Sequence, residues 1–515
     1  MTKNGPVPPD AAVDTDASTT RGEGEGLKRE FSLWAIFALA FAFISPIVAL
    51  YGIFAFSITS AGPAAWWGFF IVLGGQLLVA LVFAELASRW PYEGSLYQWS
   101  RRLFHESYGW FAGWAYMWTL MITMVAVSYG AAGFVPVVFG IDPFEPHTQL
   151  FVALGFLLFG TLMNVASRTA LKIFMVGSIA AEVIGSIGVG TVLLFFHHEQ
   201  PFSSVFESAG AGTGPGGYVW AGLFGAVAFI GWTYVGFETA GSVAEETPQP
   251  RRDVPKAVVL SLVTVAAVVT YASLALILAI PDYGPVISGE VVDPVADTLS
   301  FQLGSGVTKP LFVMFIIGFT ASLLAIQTNC SRVMWAFARA EVLPASGFLK
   351  KLSTRHRLPV STIMTTGVIA AVLLISTQSE DVYLTLISMA TGGFYISFAF
   401  PVVAALVARL RGRWSPGQWN LGRWGLLVAV IASVWVVFEY INIAWPRAEG
   451  VPWYQDWAVL VMTAIIGVLG VAAYLLVRPK VLTAEDRLEE DPTSVHWSTP
   501  SATEPAAQPQ PPSPA

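Results

Sequence analysis

Residues 218–258 read YVWAGLFGAVAFIGWTYVGFETAGSVAEETPQPRRDVPKAV, an apolar run that keeps a glutamate, Glu238, and then ends in a proline-bounded basic loop. A carboxyl in the hydrocarbon layer is costly, so such residues face the interior of a bundle and mark working sites. The glycines Gly231 and Gly236 loosen the same run ahead of Glu238. The pattern predicts a membrane helix that is interrupted near its middle.

The rest of the chain supports a membrane setting. Of 515 residues, 55% are hydrophobic and only 12% charged, too apolar for a soluble surface. Apolar runs long enough to cross about 30 Å as helix occur at 31–57, 64–87, 110–139, 150–165, 170–196, 218–240, 257–280, 311–336, 360–375, 383–407, 425–443 and 457–477. With both termini placed in the cytoplasm, every Lys and Arg except Lys309 and Arg447 falls on the inner side. An odd number of spans would scramble that separation. Residues 1–30 and 481–515 are polar, proline-rich and expected to be disordered cytoplasmic tails, leaving 31–480 as the transporter domain.

Several functions are excluded. The chain has no Gly-Lys dipeptide, so no P-loop lysine and no ATP-driven motor. Its six histidines lie at or beyond span ends and suggest no metal site, and the single cysteine, Cys330, reads as a packing residue. No cofactor, enzyme activity or nucleic-acid partner is expected.

Span 1 reads FSLWAIFALAFAFISPIVALYGIFAF over residues 31–56. Ser45 and Pro46 form an N-cap and N1 pair about midway, which predicts a second half-helix beginning there. The amides of Ile47, Val48 and Ala49 would then face the midplane and suit an anionic group. Interruptions at corresponding places in spans 1 and 6 point to two inverted five-span repeats with a binding site between them, spans 11 and 12 being additions.

Three glutamates lie within spans. Glu182 sits about 18 Å along span 5, and Glu238 follows the break in span 6; both are expected to carry the coupling proton. Glu439 lies two turns from the end of span 11 and reads as a boundary residue. Trp232 and Tyr234 flank the break as a lid over the ligand, beside Gly231 and Val235. Ser322, Asn329, Thr391 and Tyr395 are further polar candidates. In the loop after span 6, Asp253 is expected to cap span 7. That loop, through Arg251 and Arg252, would close the inner side against the span 2 or span 8 exit, with Glu85 as a further gate residue.

Three stretches resemble the amino acid-polyamine-organocation (APC) permeases. They are AELASRWPYEGSLYQWSRRL (84–103), GFETAGSVAEETPQPRRDVPKAV (236–258) and NCSRVMWAFARAEVLP (329–344). The resemblance implies an all-α protein of twelve transmembrane helices with a LeuT-type 5+5 inverted repeat. It also implies substrate held by the backbone of residues 45–49 and 231–235, with Trp232 and Glu238 as gate and acidic partner. Ser95 stands where a glycine is usual, and SPIVALYG replaces a Gly-Ser-Gly-like cluster, which leans toward the γ-aminobutyrate and choline branch. The expected function is uptake of a small amino acid or amine by alternating access across the plasma membrane, proton-coupled or by exchange. The alternative is a ligand-sensing receptor on the same fold.

Overall fold

The computed structural model describes residues 31–166, 168–354, 357–376, 382–447, 452–489 and 493–495. The expectation of disorder for 1–30 and for 496–515 lies outside the described residues. Among the described residues, eleven helices are long and apolar enough to cross a membrane, and a twelfth, Val360–Ser376, is shorter, at about 25 Å of helix. The described residues contain no strand.

Span 1 comprises two helices, Leu33–Ile44 and Pro46–Tyr51, hinged at Ser45. Span 2 is Trp66–Arg89, followed by a surface helix, Ser95–Leu103, and span 3, Glu106–Gly133. Span 4 runs Pro146–Ala166, longer than the apolar run predicts, because Pro146 opens the helix ahead of its polar first turn. Span 5 joins Arg168–Glu182 to Val189–Phe196 through a π-helical turn, Val183–Gly188.

Span 6 begins at Tyr218 and ends at Ser242, with its break in the middle. Span 7 is Pro250–Ala279, span 8 Ser305–Arg339, span 9 Val360–Ser376, span 10 Val382–Leu410 and span 11 Gly425–Ala444. Span 12, Ala458–Glu489, continues past Lys480, where the sequence reading places the tail. Asp253 lies in the first turn of span 7, whose cap is Gln249, because Pro250 already occupies N1.

Spans 1 and 6 lie at the centre. Span 1 packs on spans 7 and 8, span 2 on span 7, and span 3 on spans 8 and 10. Span 12 lies at the rim, with only 11% of its apolar window buried. Both described chain ends reach one face: the amide of Phe31 donates to the carbonyl of Glu246 at 2.9 Å, and that of Val495 donates to Arg102 at 2.8 Å. We call this the chain-end face.

Candidate functional site

The break in span 1 has the predicted cap. The Ser45 side chain accepts from the Val48 amide at 3.2 Å, and Pro46 takes the first helical position. Ser45 itself adopts φ +46°, a strained left-handed value that a serine holds only when its surroundings compel it. Glu182 supplies that compulsion. Ser45 Oγ donates to its Oε1, and the Ile47 amide donates to Oε2 at 3.0 Å. The Ala49 amide returns to the Ser45 carbonyl at 2.7 Å. The three amides expected to await a ligand are therefore all engaged within the protein.

Small residues let the neighbours close on this point. A Cβ at Gly318 of span 8 would lie 3.0 Å from Glu182 Oε1, and one at Gly185 would lie 3.0 Å from Ile47 Cδ1. Gly185 belongs to the π turn that follows Glu182, and its carbonyl accepts from Tyr51 at 2.7 Å. Such turns recur where a helix must present a functional group.

Span 6 interrupts differently from the sequence expectation. Its first helix, Phe224–Ile230, tightens to a 3-10 turn over Gly231–Tyr234, and the chain then extends at Val235. Gly236 has φ +110°, and a Cβ there would sit 2.0 Å from Phe43 Cδ1. Glycine is required at 236 by both backbone and space. Gly231 has an ordinary helical φ of −51° where the helix tightens, so the turn does not require glycine there; its hydrogen instead admits Glu439, whose Oε1 would be 2.9 Å from a Cβ.

Glu238 closes this second break as Glu182 closes the first. Its Oε2 accepts from the Gly236 amide at 3.0 Å and its Oε1 from the Tyr116 hydroxyl at 2.7 Å. Asn329 of span 8 then donates to Tyr116 at 2.6 Å and to Thr239 at 3.0 Å. Nothing in the sequence identifies Tyr116 as a partner, since it is one tyrosine among fifteen.

The other candidates are placed as follows. Thr233 donates to the Ala49 carbonyl at 3.1 Å, joining the two breaks, and Ser322 donates to the Phe43 carbonyl at 2.8 Å. Each satisfies a carbonyl that a broken helix leaves without an intrahelical partner. Thr391 bonds its own helix at Ile387 while lying against Gly231. Trp232 is buried beside the break, whereas Tyr234 is fully buried with its hydroxyl toward Thr270 of span 7, behind the break. Cys330 is buried, its thiol 3.8 Å from the Met117 carbonyl.

On the chain-end face, one of the three expected gate residues, Glu85, is engaged with other parts of the fold. Arg251 and Arg252 are exposed. Glu85 pairs with Arg409 of span 10 and accepts from the Leu421 amide at 2.8 Å, tying span 2 to the loop before span 11. Closure against span 8 is made by the acidic pair of the span 6–7 loop. Glu246 meets Arg332 at 3.2 Å, both fully buried, and Glu245 takes Arg339 in two contacts of 2.6 Å. Glu93, in the span 2 exit, is wholly buried beside them with neither carboxyl oxygen hydrogen-bonded. Burial, then the Glu246 and Glu245 carboxylates, push its carboxyl well above the usual range, against the pull of Arg332 and Arg339. Above these pairs Phe83, Phe237 and Phe398 pack ring on ring, with Trp99 against Phe83.

Glu439 corrects the sequence reading. It lies two turns from the end of span 11 but is fully buried, because span 11 packs against spans 10, 2 and 6.

Twelve spans among the described residues, with spans 1 and 6 interrupted and in contact at their breaks, define the five-plus-five class of membrane transport folds. The chain belongs to the amino acid permease family, whose model matches residues 31–473. It is 26% identical to the branched-chain amino acid permease BcaP of Bacillus subtilis, over 83% of this chain and 90% of that one. It is 22% identical to amino-acid permease 2 of Neurospora crassa over 90% of each chain, and 23% identical to amino-acid permease BAT1 of Arabidopsis thaliana over 81% of this chain and 85% of that one.

Proposed function

We propose that this membrane amino acid transporter carries a small amino acid or related amine together with a proton, by alternating access about the two breaks. The chain-end face is then the cytoplasmic side of the plasma membrane. The observation that carries the reading is the Glu182 carboxylate seated on the amide of Ile47. A carboxylate accepts at both oxygens, whereas a protonated carboxyl must also donate, and neither an amide N–H nor a serine already capping Val48 is a good acceptor for that proton. Protonation of Glu182 therefore loosens its hold on Ile47 and frees that N–H for a substrate carboxylate. Proton and substrate bind together in this scheme, because one makes room for the other.

Glu238 stands in the same relation to Gly236. Its release would loosen the glycine hinge, with Trp232 covering the ligand and Ser322 and Thr391 behind the breaks. Exchange of internal for external substrate uses the same steps with the proton retained. The test is uptake of labelled amino acids into proteoliposomes with and without an imposed pH gradient. Glu182→Gln and Glu238→Gln are tested singly. Gradient-driven accumulation that one of them abolishes, with exchange preserved, supports the scheme. Accumulation that responds equally to the gradient in wild type and both variants overturns it.

A further inference from the structure

Span 12 is packed least where it crosses the lipid and most where it leaves it. Of the eleven long spans it has the lowest burial, 11% of its apolar window. Around and beyond Arg478 and Lys480 it lies on protein instead: Val477, Val481 and Ala484 recur at helical spacing and all three are buried. Glu485 accepts from the Glu106 amide at the start of span 3, and Arg487 reaches the Ala340 carbonyl past the end of span 8 at 3.5 Å.

Residues 493–495 then sit on the exit of span 2. The Arg89 guanidinium donates to the Thr493 carbonyl at 2.9 Å, and the Trp90 indole N–H lies 3.2 Å from both the carbonyl and the hydroxyl of Thr493. Ser494 and Val495 are buried, and the Val495 amide is held by the carbonyl of Arg102 in the surface helix. Trp90 is itself fixed there, its carbonyl accepting from Trp99 at 3.1 Å.

These attachments cross the seam that the gate pairs cross. Glu246–Arg332 and Glu85–Arg409 join the span 6–7 loop and span 2 to spans 8 and 10. The C-terminal segment joins the exit of span 2 to the ends of spans 3 and 8 by a separate route. We infer that this segment is an inhibitory strap over the chain-end gate, which opens when residues 493–495 leave their seat. The inference rests on the reading that this face opens during transport. A hydrogen bond of this kind shifts an equilibrium by roughly two- to tenfold, so a few of them hold the gate without locking it.

The test reads opening of that face as maleimide labelling of Thr239→Cys in the otherwise full-length protein, alongside proteoliposome uptake of labelled L-leucine and L-lysine. Two strap variants are compared: Val495→Asp, which puts a charge in the buried seat, and a chain ended after Glu489. Each should raise labelling at position 239 about threefold or more and speed uptake, with the melting temperature unchanged. A third variant, Arg102→Cys with Val495→Cys, ties the strap to its seat; oxidation should slow uptake and reductant should restore it. Unchanged labelling in both strap variants would overturn the proposal, as would slower uptake. So would faster labelling that comes with a lower melting temperature and faster labelling of Cys330, since that pattern is general loosening. A wild type that takes up neither amino acid counts against the transport reading, and labelling at position 239 still decides the strap.

Discussion

Ile47 and Glu182 meet at 3.0 Å, amide to carboxylate, so the free end of one membrane helix is closed by a side chain from another. Gly318 guards the contact, since a Cβ there would come within 3.0 Å of Glu182 Oε1 and 3.1 Å of Ile47 Cδ1. Gly318→Ala should displace the carboxylate and destabilise by roughly 1–3 kcal/mol, the usual cost of overpacking. Thermal unfolding followed by tryptophan fluorescence should show the lower melting temperature. An unchanged melting temperature with unchanged uptake would mean that spans 5 and 8 have room to spare.

Gly236 is the least replaceable position in span 6. Its φ of +110° and the 2.0 Å approach of Phe43 penalise any side chain twice. Gly236→Ala should cost more than about 2 kcal/mol and abolish uptake. Adding Phe43→Ala should recover only part of the stability, because the backbone penalty persists. Full recovery in the double variant would show that space alone sets the requirement.

The buried pair Glu246–Arg332 makes a different prediction. Removing one partner strands the other charge, at a cost of roughly 3–5 kcal/mol, whereas replacing both by apolar residues is close to neutral. Glu246→Leu should therefore be worse than Glu246→Leu with Arg332→Met. In the double variant the chain-end face should open more readily, seen as faster uptake or as faster labelling of a cysteine placed at Thr239. A double variant as unstable as the single would locate the stabilisation elsewhere.

Glu93 gives that face a pH response. Its carboxyl is raised in the folded protein, so its stabilising contribution is full below the ordinary carboxylate range and is lost as pH rises through the raised value. Glu245 runs the other way. Against the cost of its own burial, Arg339 holds it below its ordinary value, so its contribution is lost only as pH falls into the acid range. Melting temperature should decline in wild type as pH rises above the ordinary carboxylate range. Glu93→Gln should remove that decline while keeping the loss at acid pH, and an unaltered decline would show that Glu93 is not its source.

Ser95 holds φ +30° directly after Gly94 at +93°. A serine in that region is strained, so Ser95→Gly should raise stability by about 1 kcal/mol, with uptake intact. Lower stability would mean that the packing of the buried side chain outweighs the backbone strain.

Much of the fold is visible in the chain because bilayer thickness and charge sidedness act on long stretches. Span count and the Ser45–Pro46 hinge follow from such rules, since capping depends on two adjacent residues. Gly231 misleads, because a glycine that admits a neighbour and one that turns the chain look alike in sequence. Glu439 misleads for a related reason: depth along its own helix says little about burial once another helix covers it. The pairing of Glu182 with Ile47, Glu238 with Tyr116 and Glu85 with Arg409 depends on contacts between distant spans, which periodicity along one helix does not encode. The acid pair Glu245–Glu246 was visible, but its partners on span 8 were not.

Cys330 is the chain's single cysteine, and it lies buried where span 8 meets span 3, one residue beyond Asn329. The native molecule thus carries its own reporter. A thiol reagent added to the unaltered protein reads, at one address, how often the wall between those two helices parts, and no cysteine-free background has to be engineered first.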